Sequence, residues 1–248
     1  MKICIDAGHN FSEFDTGASG NGLREQDVTF LISQKLNYLL KDTDIGVVCT
    51  RPFLEKILGR DTVTSSLKAR CDISNYNNCD LFISIHCNSA ENPDATGTET
   101  YIMAEGGMAE VLANKVHNKI VERFGLADRG VIANPTLYVL RKTDAPAMLI
   151  ETAFLSNKND AYLLAHKFND FAIAIYEGIC EYLEIEPVAT RKPYTEPKDI
   201  VFQLSKLIEI NEVEKAVKEV KKAKEENSSL YWILYKLINK GMMPNADN

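Results

Sequence analysis

Two histidines and two glutamates draw attention through their settings in the 248-residue chain. His9 follows a β-rich run in Asp6-Ala7-Gly8-His9-Asn10. His86 lies in Ser84-Ile85-His86-Cys87-Asn88, and Glu151 in Leu149-Ile150-Glu151-Thr152. Glu25 closes Gly22-Leu23-Arg24-Glu25, where an amphipathic stretch begins. Two imidazoles and one carboxylate make the ligand set of catalytic zinc sites, which leave a fourth position for water. Imidazole nitrogen and carboxylate oxygen suit a borderline cation, whereas calcium and magnesium prefer all-oxygen cages. Hydrolysis then needs a second, non-ligating carboxylate to take a proton from the attacking water and deliver one to the leaving nitrogen. This pattern assigns His9, Glu25 and His86 as zinc ligands and Glu151 as general base and acid. Each residue alone has an ordinary explanation: a capping histidine, a first-turn acid favoured by the helix dipole, a surface carboxylate. Their joint placement at the ends of strands and the start of one helix is what favours metal-assisted hydrolysis.

The elements that would carry them follow from periodicity. Short β-rich runs at 2–6, 46–50, 81–86, 99–103 and 147–151 alternate with helical patterns. From near Glu25, the residues Val28, Leu31, Ile32, Leu36, Leu39 and Leu40 recur at three- and four-residue spacing, giving one buried stripe. Further helices are expected over 64–77, 108–124 and 159–183. Such alternation predicts an α/β fold with a mainly parallel sheet flanked by helices. Open parallel sheets bind their ligands just beyond the carboxyl ends of the strands, and three of the expected strands end at or next to His9, His86 and Glu151. Pro187, Pro193 and Pro197 interrupt the rhythm, so 184–199 reads as a linker between a catalytic domain, 1–183, and a small α-helical C-terminal region, 200–248.

Composition excludes several classes. Apolar residues make up 45% and charged residues 25%, ordinary for a globular protein. The net charge of -7 argues against a nucleic-acid partner. It is unevenly spread: residues 191–248 hold 11 Lys and Arg against 9 Asp and Glu, and the preceding residues 17 against 26. The six cysteines, at positions 4, 49, 71, 79, 87 and 180, include no CxxC pair and read as free thiols. No apolar run approaches the roughly 20 residues of a membrane span. The N-terminus, Met1-Lys2-Ile3-Cys4-Ile5-Asp6, reads as a strand rather than as an export signal.

At these residues the chain also resembles the zinc-dependent N-acetylmuramoyl-L-alanine amidases often called amidase 3, over about residues 1–183. The resemblance rests on Asp6-Ala7-Gly8-His9, on the glycine-dotted loop 17–25 ending in Glu25, on Ser84-Ile85-His86-Cys87-Asn88, and on Glu151-Thr152-Ala153-Phe154-Leu155-Ser156-Asn157. Asn10 departs from the family's usual glycine, a matter of loop shape. The resemblance implies zinc ligands at His9, Glu25 and His86, a catalytic Glu151, and peptidoglycan as the partner. The bond cut would join N-acetylmuramic acid to L-alanine of the stem peptide. Position adds two candidate substrate contacts: Asn88, two residues beyond His86, through its amide, and Arg141, shortly before the strand of Glu151, through a bidentate contact to a stem-peptide carboxylate, although a solvated loop charge explains Arg141 equally well. By analogy, the absence of a long helical insertion between Glu99 and Glu151 implies an open site. His117 and His166 read as ordinary helix residues.

In the tail, Val213, Val217, Val220 and Ala223 form a narrow stripe, and Trp232 and Tyr235 are neighbours on a helix. This region is expected to be a helical bundle, a surface for homo-oligomer formation, or a wall-binding module with a sugar-stacking pair. Without an export signal, action on the cell wall implies release at lysis, as for a phage lysin or a mother-cell enzyme, or a trimmed exported protein. Two rival readings are a zinc peptidase acting on stem peptides and a catalytically inactive wall-binding protein.

Overall fold

A computed structural model of the protein describes residues 1–11, 14–41 and 43–187. The C-terminal region 200–248 and all but the first four residues of the expected linker lie outside the described residues. The elements are β1 (Lys2–Ala7), a two-residue pair β2 (Ser19–Gly20) and β3 (Leu23–Arg24), α1 (Glu25–Leu40), β4 (Gly46–Cys49), α2 (Val63–Tyr76), β5 (Leu81–Asn88) and β6 (Thr98–Ile102). There follow α3 (Met108–Phe124), β7 (Asp128–Ala133), α4 (Tyr138–Lys142), β8 (Ala147–Phe154), α5 (Lys158–His166) and α6 (Phe168–Tyr182).

Six strands form one sheet in the order β4-β1-β5-β8-β6-β7. Every pairing is parallel except β6 with β8, so the expected mainly parallel α/β sheet is present with one reversal. β5 and β8 run as near-continuous buried segments because helices cover both faces. Alternate residues along the strands separate two cores. Ile3, Ile5, Ile83, Ile85, Met148 and Ile150 face α1, α3 and α6, and Cys4, Phe82 and Leu149 face α2 and α4. His86 and Glu151 share parity with Phe82 and Leu149, so both belong to the α2–α4 side.

Local chemistry explains the helix ends. α1 has no side-chain cap at Arg24 but carries Glu25 and Asp27 in its first turn, and its buried stripe is the one read from spacing. Thr62 caps α2 by accepting from the Ser65 N–H, while the Ser65 hydroxyl completes a reciprocal box. α3 ends at Gly125, in the left-handed region at φ 61°. The expected single helix over 159–183 is two helices with a break at Lys167. No glycine or proline marks that break, and apolar residues continue through it, so spacing alone concealed it. β7 was not expected, because this exposed edge strand carries Asp128, Arg129 and Gly130 in place of an apolar alternation. All six cysteines are free, and Cys49 alone is incompletely buried. Among the described residues, no helix is long and apolar enough to cross a membrane.

Candidate metal centre

The site lies on the α2–α4 side, where β1, β5 and β8 end. His9 stands two residues past β1 and Glu25 is the first residue of α1. The strands expected over 81–86 and 147–151 end on His86 and Glu151; in the structure both run further, β5 to Asn88 and β8 to Phe154, so the two residues lie inside the last stretch of their strands. Parallel pairing sets His86 directly opposite Glu151.

Three side chains converge. Glu25 Oε1 lies 3.0 Å from His86 Nδ1 and 3.1 Å from His9 Nε2, and the three ligand atoms fall within 4.8 Å of one another. The Cys87 N–H donates to the same Glu25 oxygen at 3.0 Å, and the Ala18 N–H donates to Oε2 at 2.9 Å. Burial pushes the Glu25 carboxyl up, but His86 and His9 overcome it and hold the group ionised, well below the usual range. For His9, burial pulls the imidazole down; hydrogen bonds to Asp15 and Glu25 outweigh that and raise it to about 9. Two nitrogens and one oxygen at this spacing fit a divalent cation of the borderline class.

The surroundings are built to hold these three side chains. Asp15 Oδ1 takes the far nitrogen of His9, Nδ1, at 2.8 Å, the carboxylate–imidazole arrangement that fixes a ligand's tautomer and ring orientation. Asp15 is held in turn by the Ser66 hydroxyl. Sequence reasoning missed Asp15; its signal would have been an acid six residues after His9 within a glycine-bearing loop. His9 adopts a left-handed backbone at φ 63°, which a non-glycine residue keeps only when its surroundings dictate it. Three successive carbonyls are captured there: Ala7 by Arg70 Nη1, Gly8 by Arg51 Nη1 and the Thr29 hydroxyl, and His9 by Arg70 Nη2. Arg51 and Arg70 are both fully buried, and Arg70 also pairs with buried Asp6 at 2.7 Å. Asn10 is buried and exchanges hydrogen bonds with both backbone groups of Leu58, so it anchors the loop after His9. Two glycines are required by contact: a Cβ at Gly8 would sit 2.6 Å from the His86 ring, and one at Gly17 2.5 Å from the His9 ring.

Glu151 is of a different kind. Its Oε2 is covered and has no hydrogen-bond partner. Burial, then the charges of Glu25 and Glu99, push its carboxyl up to about 8. It faces a cleft of about 390 Å³ shared with His9, Glu25, His86 and Asn88, walled by Val63, Leu67 and Tyr138. Asn88 lines that cleft, with its amide donating to Glu99 Oε1 and its oxygen accepting from the Ser89 N–H. Arg141 is not brought to the cleft wall. It lies exposed on α4, over the Tyr138 ring and reaching back to the Pro135 carbonyl. His117 is more than a helix residue: buried on α3, it bonds Thr100 through Nδ1 and Asp128 through Nε2, tying β6 and β7 together. His166 ends α5 beside Tyr162 and does not line the cleft.

Comparison with known proteins bears on this geometry. Residues 3–181 match the N-acetylmuramoyl-L-alanine amidase family. The chain belongs to that family. It is thus an amide hydrolase of the cell-wall-degrading kind, as the resemblance implied. The chain is 33% identical over 184 residues to the amidase LytC of Bacillus subtilis, covering 73% of this chain and 35% of LytC. It is 33% identical over 194 residues to the endolysin of Bacillus phage SPP1, covering 74% of this chain and 66% of the endolysin. Among solved structures, the N-acetylmuramoyl-L-alanine amidase from Clostridium difficile 630 superposes with a TM-score of 0.65 at 33% identity, over 74% of this chain and 96% of that one. The family match ends at residue 181, one residue before the end of α6, and so runs from β1 to α6.

Proposed function

We propose that the chain binds one zinc ion through His9, Glu25 and His86 and hydrolyses the amide bond between N-acetylmuramic acid and L-alanine in bacterial peptidoglycan. The carrying observation is the meeting of three ligand atoms within 4.8 Å, on the strand-end row where Glu151 stands opposite His86. Zinc held there supplies Lewis-acid chemistry, polarising the scissile carbonyl and easing deprotonation of water.

The residues of the chain do the rest. Glu25 and the two imidazoles present their lone pairs to one point, and Asp15 keeps His9 Nε2 directed there. Glu151, with its carboxyl poised near neutrality, takes the proton of the attacking water and returns it to the departing alanine nitrogen; a group matched to the working pH transfers protons in both directions. Asn88 is proposed as a contact for the substrate peptide at the cleft's edge. Arg141 has no such role in this reading. The catalytic domain is proposed to end near residue 183, with 200–248 serving wall binding or self-association.

Product analysis tests the reading. Mass spectrometry of digested peptidoglycan is expected to show free stem peptides that begin with L-alanine. Fragments cut inside the stem peptide would instead mean a peptidase, and intact wall would mean an inactive binder.

A further inference from the structure

Pairing across the sheet sets out a row of polar side chains. His86 on β5 stands opposite Glu151 on β8, and Glu151 opposite Glu99 on β6. The row continues to Arg129 on β7, whose Nε donates to Glu99 Oε2 at 2.8 Å. Between Thr98 and Thr100 the β6–β7 register shifts, and such irregularities beside active sites re-aim a side chain.

Arg129 is anchored on every side but one. Asp128 before it is fixed by His117, and Gly130 after it turns at φ 84°. Its guanidinium carbon lies 5.0 Å from the centre of the Phe154 ring. Glu99 is itself saturated, taking Tyr101 Oη and the Asn88 amide on Oε1 and Arg129 on Oε2. This leaves Nη1 and Nη2 of Arg129 without a hydrogen-bond partner among the described residues, on a side chain 43% exposed. The cation lining the cleft, Arg70, is spent on Asp6 and on backbone carbonyls. Strands spaced about 4.8 Å apart put Arg129 roughly 10 Å from Glu151, two or three residues of extended peptide away.

Resting on the amidase reading, we propose that Arg129 is a specificity-determining residue whose free Nη edge receives a carboxylate of the stem peptide, on the alanine side of the bond cut. A guanidinium held by its Nε edge and stacked on a ring is pre-organised for a bidentate carboxylate. A purely structural partner for Glu99 would have no need of the exposed fork.

The test uses the zinc-loaded full chain and two soluble muramyl peptides. They are identical except that the carboxylate on the residue after L-alanine is free in one and amidated in the other. Arg129→Gln is expected to lower kcat/KM about 10- to 100-fold on the free acid, mainly through KM, the range that one charge-assisted contact supports. On the amide the loss should stay within about threefold. Calorimetric binding of the two released peptides should show the same contrast without turnover. Equal losses on both substrates, or none on either, overturn the subsite alone. Wild-type protein that cleaves neither peptide overturns the amidase reading and the subsite with it. If Arg129→Gln does not fold, Arg129→Lys carries the test: it keeps a cation beside Glu99 without the fork, and must still lose several-fold on the acid only.

Discussion

The two faces of the sheet are built from different material. Towards α1, α3 and α6 the strands present Ile3, Ile5, Ile83, Ile85, Met148 and Ile150, all completely buried against apolar helix faces. Towards α2 and α4 the same strands bury, beside the smaller apolar cluster of Cys4, Phe82 and Leu149, the polar Asp6 and Ser84, joined to Arg70 of α2 and to Thr50 by hydrogen bonds of 2.6–2.7 Å. Apolar packing is non-directional and tolerates small shifts, whereas a buried polar network is favourable only when every member is satisfied. The candidate metal centre stands on this second face. The apolar face gives stability, and the network gives position to His9 and its loop. Perturbing one face should therefore spare the property carried by the other.

The largest expected effect is on the ligands. His86→Ala should reduce bound zinc from one per chain to near zero, by elemental analysis, and wall-lytic turnover to background. Chelation of the wild type should do the same, with recovery on adding zinc. Full lytic activity in metal-free protein would sink the ligand assignment.

Glu151→Gln comes next, and it separates chemistry from metal binding. Zinc content should hold while turnover falls about 100- to 10,000-fold, the usual contribution of a general acid–base group. The variant also has a pH signature in metal-free protein. Burial and the neighbouring acids raise the folded carboxyl to about 8, above the ordinary 4.5. Between those values the folded state holds more protons than the unfolded one, so wild-type stability falls as pH rises. The glutamine variant lacks this slope. Denaturant titrations at pH 5 and pH 8 should show its advantage growing by a few kcal/mol at most. A gap that stays constant with pH would mean that Glu151 titrates normally.

How far sequence could reach depends on the same contrast. The strands on the apolar side and the stripe of α1 were legible because burial leaves a period, and the residues meeting at the centre because His, Glu and strand ends coincide. β7 was not, since an exposed edge strand needs no apolar alternation. Nor was Asp15, because a lone acid in a loop becomes meaningful only when folding brings it within 2.8 Å of His9. Arg141 and Arg129 make the same point in reverse. Proximity to Glu151 in the chain suggested Arg141, while the side-chain contact with Glu99 sets Arg129 at the end of the row.

Asp15→Ala should fall below the two site variants in effect. Glu25, His9 and His86 remain, but His9 loses the partner that fixes its tautomer and the direction of Nε2. Removing such a partner typically costs 10- to 100-fold in metal affinity or activity. Competition with a chromophoric chelator should show weaker zinc binding in that range, and excess zinc should restore much of the turnover. Unchanged affinity would mean that Arg70 and the captured carbonyls suffice to orient His9.

Ile175→Ala addresses the opposite face and should leave chemistry almost untouched. Ile175 lies on α6, completely buried within the apolar core that α6 shares with α1 and α3. Removing its outer carbons deletes packing contacts and leaves a cavity that neighbouring side chains fill only in part. Such truncations cost about 2–5 kcal/mol, so the denaturation midpoint should drop clearly. At a temperature where the variant stays folded, zinc affinity and kcat should remain within about twofold of wild type, because no hydrogen bond of the network around Asp6 and Arg70 passes through α6. A matched loss of zinc affinity and stability would show that the two faces are coupled through the sheet. Loss of stability alone would show that the fold separates what holds it together from what positions the metal.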